Sequence, residues 1–190
     1  MTLWLIRHAQ PCVAPGVCYG VLDIAAEALA TQHAAAELAA VLPQGLQVWV
    51  SPLQRCELLA QFLRGLRPDL AFKTDLRLGE MNFGNWEGVP WADVPRTALD
   101  AWTADFGEHR FGGVESVNMV LARVHAAWSD TRAAVRSSGA TAALWITHAG
   151  VIRATGLVAQ GIDALNDAAQ WPQDGPGYGQ WRQVALRGSV

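Results

Sequence analysis

The chain has 190 residues, enough to bury about 70% of the surface that its unfolded form exposes, and we expect one domain over residues 1–190. Its net charge of −3 argues against a broad nucleic-acid-binding surface, which requires clustered Lys and Arg in excess. Its three cysteines are an odd number without CxxC spacing, which argues against a disulfide framework or a zinc site and favours a reducing cytoplasm.

Predicted strands and helices alternate along the chain. Continuous apolar runs predict four buried strands, at residues 3–6, 46–50, 70–73 and 142–147. Alanine-rich stretches predict four helices, at residues 25–42, 53–66, 115–137 and 151–160. This alternation predicts an α/β fold, a three-layer αβα sandwich whose central sheet is mostly parallel. Ligands of such sheets bind beyond the carboxyl ends of the strands.

Two segments depart from this alternation. Residues 77–113 are rich in Gly, Trp and acidic residues, and we expect them to form a lobe that covers the active site at the strand ends. A short helix at residues 90–104 would lie within this lobe. Near the end of the chain, residues 181–186 could add an edge strand and residues 172–179 could form a mobile loop, and both interpretations stay open.

Polar residues that suit a phosphate follow three of the predicted strands. Arg7 and His8 come directly after the first strand, Arg55 lies in the first turn of the helix after the second, and His148 follows the last. Because carboxyl ends of parallel strands meet at one edge of a sheet, the two histidines can meet there. Arginine offers a planar fork of donors to phosphoryl oxygens, and a helix N-terminus favours an anion. The pattern predicts a phosphate site and phosphoryl chemistry on histidine.

Four ordered segments resemble the signature motifs of a known family, the histidine phosphatase superfamily, with its phosphoglycerate mutase-like fold. They read LIRH at residues 5–8, SPLQR at 51–55, EMNFGNWEG at 80–88 and THAGVIR at 147–153. The resemblance covers most of the chain. It implies a hydrolase that cleaves phosphate monoesters without a metal or another cofactor.

The resemblance also implies a role for each matching residue. His8 would be the nucleophile and would form a phosphohistidine that water then hydrolyses. Arg7, Arg55 and His148 would bind the phosphoryl group and neutralise its oxygens. Glu80 would protonate the leaving alkoxide and then, as a carboxylate, activate the water.

Two further matches resemble one branch of the superfamily, the α-ribazole-5′-phosphate phosphatases of cobalamin biosynthesis. They read GVCYGVLD at residues 16–23 and FGNWEGVPW at residues 83–91. The resemblance implies a small phosphorylated metabolite as the binding partner, with neither nucleic acid nor membrane.

Residues near these motifs are further candidates for substrate binding. Gln10 and Asn82 each lie within two residues of a proposed catalytic group, and Tyr19 lies in the first of the two branch-like segments. Tyr19, Trp86 and Trp91 could stack on an aromatic base such as dimethylbenzimidazole.

The chain departs from the family pattern at residues 9–10 and at residues 112–116. Ala9 and Gln10 stand where the family has Gly and then Glu or an equivalent, and glycine there allows the backbone to approach a phosphate closely. We expect activity to persist, with consequences for rate and substrate preference. Residues 112–116 read GGVES, one residue longer than the common GGES.

Other functions remain open. A broad-specificity phosphatase or a phosphoglycerate mutase-like enzyme would use the same motifs, although the short span between Arg55 and Glu80 favours hydrolysis. A catalytically weakened protein that binds phospho-ligands, or an interaction domain, would be functions of another class. We expect a cytoplasmic, unprocessed protein, since no apolar run approaches the roughly 20 residues of a membrane span. The sequence is compatible with a homodimer and with a monomer.

Overall fold

The computed structural model describes residues 1–186, which contain one five-stranded sheet. Its strands are β1 (Thr2–Arg7), β2 (Gln47–Val50), β3 (Ala71–Thr74), β4 (Ala142–Thr147) and β5 (Trp181–Ala185). The α-helices of this part of the chain are α1 (Ala28–Val41), α2 (Gln54–Leu66), α3 (Arg96–Ala104), α4 (Val117–Ser138) and α5 (Ala149–Val158). The predicted α/β class is confirmed, and each of the four predicted strands overlaps an observed one.

The strand order places the ends of β1 and β4 side by side. The sheet runs β3-β2-β4-β1-β5, with β1 to β4 mutually parallel and β5 antiparallel to β1. In the β1–β4 pair Arg7 lies opposite Thr147, so the two strands end at the same level. The residues that follow these strands, His8 and His148, therefore start from neighbouring positions.

Helices cover both faces of the sheet because side chains alternate between the faces along each strand. Leu3 and Leu5 of β1 pack into one apolar core with residues of α4 and α5. Trp4 and Ile6, which alternate with them, pack into a second core with residues of α1 and α2. The predicted three-layer αβα sandwich is the observed architecture.

Within the lobe, the observed helix is shorter than the predicted one. The sequence pattern predicts one helix over residues 90–104, whereas the structure has a 3₁₀ turn at Trp91–Asp93 and an α-helix that begins at Arg96. Pro90 and Pro95 explain the break, because proline lacks the N–H that continues a helix and disfavours helical backbone in the residue before it. Each proline instead directly precedes a helical segment.

The last described segment is an edge strand, the first of the two open interpretations. β5 pairs antiparallel with β1. In the loop before it, the N–H of Gly179 donates to the carbonyl oxygens of Arg7 (3.2 Å) and His8 (3.1 Å). This loop is therefore attached to the end of β1 by backbone hydrogen bonds. None of the helices within residues 1–186 combines the length and apolar character that a membrane crossing requires.

Candidate active site

His8 and His148 face each other at the carboxyl edge of the sheet. His8 follows β1 and His148 follows β4, and their ring centroids lie 5.1 Å apart. Both residues are buried, with 2% and 0% of their surface exposed. The strand register thus produces the juxtaposition that the sequence pattern predicts.

The backbone fixes one ring nitrogen of His8. Its Nδ1 lies 2.7 Å from the carbonyl oxygen of Ala9. Because a carbonyl oxygen only accepts, Nδ1 carries the hydrogen and Nε2 keeps a free lone pair. Burial, and after it the charge of Arg55, lowers the pKa of His8 to about 3, so the imidazole is neutral near pH 7. A neutral imidazole with a free Nε2 can act as a nucleophile.

Ala9 occupies the position where the family motif has glycine. The residue is buried, and no non-glycine residue of the described chain has a positive φ. Ala9 therefore holds an ordinary backbone conformation. Its presence instead of glycine leaves no backbone strain beside His8.

Arg55 is a fully buried cation near the start of α2. Its Nη1 donates to the carbonyl oxygen of Leu22 (2.9 Å), its Nη2 to that of Gly20 (2.5 Å), and its Nε to Nδ1 of His148 (3.3 Å). The ion pairs found among the described residues include none from Arg55 to a carboxylate. Since an unpaired charge is costly to bury, the site suits an anion that comes from outside.

The hydrogen bonds of His148 define its tautomer. The Nε of Arg55 is always a donor, so Nδ1 of His148 accepts and the ring hydrogen lies on Nε2. Nε2 in turn lies 2.7 Å from the buried hydroxyl of Ser51. Burial, followed by the charge of Arg55, holds the pKa of His148 well below its usual range. Both histidines of the site are therefore uncharged near pH 7.

Arg7 lies under an aromatic ring that the sequence analysis missed. Its guanidinium carbon is 3.8 Å from the ring centroid of Tyr178, and its Nη1 donates to the carbonyl oxygen of Pro176 (3.3 Å). The hydroxyl of Tyr178 lies 2.8 Å from that of Tyr19. No local pattern marks Tyr178, because it lies in a Gly- and Pro-rich loop and meets Arg7 only in the folded chain.

Glu80 approaches the same edge from the lobe. Its carboxylate accepts hydrogen bonds from the N–H of Met81 and from the N–H of Gly150, at 3.0 Å each. A Cβ at position 150 would collide with Oε1 of Glu80, so glycine allows this approach. Gly150 lies two residues after His148, so this hydrogen bond joins Glu80 to the start of α5, the helix that follows His148.

Comparison with protein families identifies the family to which the chain belongs. The profile of the histidine phosphatase superfamily (branch 1) matches residues 3–174. The chain belongs to this superfamily. Among curated proteins, no sequence matches the chain.

Solved structures agree with the family. The native structure of a mycobacterial glucosyl-3-phosphoglycerate phosphatase is similar, with 28% identity, a TM-score of 0.78, and coverage of 96% of this chain and 88% of that one. The complex of that phosphatase with VO3 has 25% identity and a TM-score of 0.81, over 97% and 90% of the two chains. The protein TTHB049 from Thermus thermophilus has 25% identity and a TM-score of 0.66, over 97% and 93%. The predicted phosphoglycerate mutase-like fold and the predicted class, a phosphatase, are confirmed.

The other predicted substrate-binding residues of this histidine phosphatase are Tyr19, Asn82 and Gln10. Tyr19 has its ring centroid 5.4 Å from the guanidinium carbon of Arg55. Asn82 uses its side-chain oxygen to accept from the N–H of Gly84 (2.8 Å). Gln10 is exposed and lines a surface depression. Their roles in substrate binding stay predictions.

The two tryptophans proposed to stack on a base lie in an aromatic cluster of the lobe. Trp91 stacks on Phe111, with ring centroids 5.9 Å apart and an interplanar angle of 9°. Trp86 packs against the same ring, at 5.8 Å. Trp102 stacks on it at 4.4 Å. One of the two candidates, Trp91, also lines a cavity beside Glu80.

This cavity of the histidine phosphatase has a volume of about 240 Å³ and an aromatic wall. Its lining includes Glu80, Phe83, Trp91, Trp102, Arg153 and Trp171. Two of these side chains have a buried N–H without an acceptor among the described residues, Nε1 of Trp102 and Nε of Arg153. The cavity therefore offers an apolar, aromatic surface next to Glu80.

Proposed function

We propose that this histidine phosphatase hydrolyses a small phosphate monoester through a phosphohistidine on His8, without a metal. The observation that carries the proposal is the buried guanidinium of Arg55, which has no carboxylate partner in the described chain and lies beside neutral His148. A phosphate dianion bound here would supply the missing negative charge through charge-assisted hydrogen bonds. Arg7, with a buried Nε that has no acceptor among the described residues, would be the second cation.

In the first step, Nε2 of His8 attacks phosphorus in line, and the bond between phosphorus and the leaving oxygen breaks. Protonated Glu80 gives its proton to that oxygen, which leaves as an alcohol. Arg7 and Arg55 neutralise the remaining phosphoryl oxygens. The hydrogen of His8 stays on Nδ1 throughout, and Nδ1 donates it in a hydrogen bond to the carbonyl oxygen of Ala9.

In the second step, water attacks the phosphohistidine, and the bond between phosphorus and Nε2 of His8 breaks. Glu80, now a carboxylate, takes the proton of the water, and inorganic phosphate leaves. A bound phosphate would replace Nδ1 of His148 as the acceptor of the Arg55 Nε–H. The hydroxyl of Ser51 could then donate to Nε2, and His148 could carry its hydrogen on Nδ1. In that form His148 would donate to a phosphoryl oxygen.

As the substrate we favour α-ribazole-5′-phosphate, an intermediate of cobalamin biosynthesis. Two supports exist: the branch-like segments at residues 16–23 and 83–91, and the aromatic cavity beside Glu80. A flat aromatic base would pack against Trp91 and Trp171 in this cavity.

A second candidate substrate is glucosyl-3-phosphoglycerate. It is the compound for which the similar mycobacterial phosphatase is named. Arg153, which lines the cavity, also favours it, because guanidinium groups bind carboxylates well.

The test is phosphate release in excess chelator from five compounds: α-ribazole-5′-phosphate, glucosyl-3-phosphoglycerate, 3-phosphoglycerate, fructose-2,6-bisphosphate and an aryl phosphate. We expect preference for the ribazole ester, loss of turnover in His8→Ala, and full turnover in the matched control His125→Ala, whose ring pairs with Asp163 on the surface. Equal rates on all esters would replace the ribazole assignment by broad specificity. Phosphate binding without turnover in the wild type would instead favour a phospho-ligand binder.

A further inference from the structure

Glu87, a residue of the third motif to which the sequence analysis gives no role, is connected to Arg55 through the backbone. We propose that it is a positioning residue that sets the orientation of the Arg55 guanidinium in the phosphate site. The inference rests on the proposed function, because the orientation of Arg55 matters there for binding and transferring a phosphoryl group.

The carboxylate of Glu87 accepts four backbone hydrogen bonds. Oε2 accepts from the N–H of Gly20 (2.9 Å) and of Leu22 (3.0 Å), and Oε1 accepts from the N–H of Val21 (3.1 Å) and of Phe83 (2.9 Å). Among residues 1–186, Glu87 belongs to no ion pair with a basic side chain. Backbone donors are therefore its identified partners, as in an anion-binding turn.

Three of these donors belong to the segment that holds Arg55. The carbonyl oxygens of Gly20 and Leu22 accept from Nη2 and Nη1 of Arg55. One peptide group, formed by the carbonyl of Gly20 and the N–H of Val21, bonds to Arg55 on one side and to Glu87 on the other. Hydrogen bonds in such a chain polarise one another, so the carboxylate strengthens the acceptor that faces the guanidinium.

Residues 20–22 lie close against the segment that contains Met81 and Glu87, and this close approach requires glycine at position 20. A Cβ on Gly20 would collide with the carbonyl oxygen of Met81 and would lie 2.9 Å from Oε1 of Glu87. Glycine thus allows residues 20–22 to lie directly against the lobe. The lobe in this way fixes the two carbonyl groups that orient Arg55.

Glu87→Gln is the informative substitution because it keeps the size of the side chain. The amide group would place an N–H donor against backbone N–H donors and remove the negative charge. We expect the affinity for inorganic phosphate, measured by titration calorimetry, to fall by ~10-fold to 100-fold, as for the loss of hydrogen bonds to a charged group. We expect kcat/KM to fall in the same range.

A matched control separates positioning from loss of stability. Asp69 also accepts a backbone hydrogen bond in a surface loop, from Gly45 (2.9 Å), and it pairs with Arg67. Asp69→Asn should lower the unfolding temperature and leave phosphate affinity unchanged. An equal loss of affinity in this control would overturn the assignment to Glu87.

A double-mutant cycle tests whether Glu87 acts through Arg55. In an Arg55→Lys background, where the fork of donors is absent, Glu87→Gln should reduce phosphate affinity far less than in the wild type. An equal reduction in both backgrounds would contradict the inference.

If the wild type binds phosphate without hydrolysing esters, yet Glu87→Gln weakens that binding only when Arg55 is present, the proposed function fails and the positioning role stands. If the wild type hydrolyses esters and Glu87→Gln has no effect, the proposed function stands and the positioning role fails.

Discussion

Gly150 determines how closely Glu80 approaches the N-terminus of α5. The N–H of Gly150 donates to Oε2 of the carboxylate, and a side chain at position 150 would occupy the space of Oε1. Gly150 of the fourth motif therefore makes room for Glu80 of the third and donates a hydrogen bond to it. The sequence shows Gly150 close to His148. It does not show the contact of Gly150 with Glu80, because these two residues are far apart in the chain.

Gly150→Ala should displace Glu80 and lower kcat by about 100-fold, the usual contribution of a general acid and base. Phosphate affinity should change little, because Arg7 and Arg55 remain in place. Steady-state kinetics and phosphate titration measure the two effects. Gly156→Ala in the same helix is the control: apart from its chain neighbours and the nearby backbone of its own helix, no atom lies within 4 Å of the added Cβ. Activity should therefore persist, and the free energy of unfolding should rise by up to ~1 kcal/mol. Full activity of Gly150→Ala would contradict the role of Glu80.

The loop before β5, residues 172–179, is the element that the sequence left undecided. Backbone hydrogen bonds join Gly179 to the end of β1, and Gly179 has φ +70°, a conformation that favours glycine. The next residue on the N-terminal side, Tyr178, thereby lies over Arg7. The geometry of this loop thus brings an aromatic ring to Arg7, in the proposed phosphate site.

Tyr178→Ala should reduce phosphate affinity by ~2-fold to 30-fold, the range of a cation–π contact with Arg7. Tyr178→Phe keeps the ring and removes only the hydroxyl contact with Tyr19, so its effect should be smaller and should equal that of Tyr19→Phe. Titration with inorganic phosphate compares the three variants. If Phe and Ala at position 178 weaken binding equally, the hydroxyl contact rather than the ring orders Arg7.

Two buried neutral histidines connect the active site to the stability of the whole molecule. Folding lowers the pKa of His8 to about 3 and holds that of His148 well below its usual range. Both residues titrate near pH 6.5 in an unfolded chain, so between these values the unfolded state binds more protons. The free energy of unfolding contributed by these groups is complete above about pH 6.5 and is lost as the pH falls toward 3.

His8→Gln should reduce this pH dependence. Each histidine that is neutral when folded and charged when unfolded adds a slope of up to ~1.4 kcal/mol per pH unit. Denaturant unfolding of the wild type and of His8→Gln between pH 4 and pH 7 compares the slopes, and carboxylates common to both proteins cancel in the difference. Parallel curves for the two proteins would show that His8 is not held neutral by the fold.

The sequence alone was sufficient to predict the four parallel strands and the residues at their ends. Long apolar runs predict buried parallel strands, and parallel strands place Arg7, His8, Arg55 and His148 at one edge whatever the details of the loops. Local pattern was less informative where prolines interrupt the helical periodicity of the lobe, as at Pro95.

Only the tertiary structure decided how the loops complete the site. The contacts of Tyr178 with Arg7, of Glu87 with residues 20–22, and of Gly150 with Glu80 join segments that no shared periodicity relates. The same holds for the cavity between the lobe and α5. Strand pairing follows from repeating backbone hydrogen bonds and apolar burial, whereas each loop contact depends on one particular backbone path. Such a path is set by packing across the whole molecule and leaves no repeating signal in the sequence.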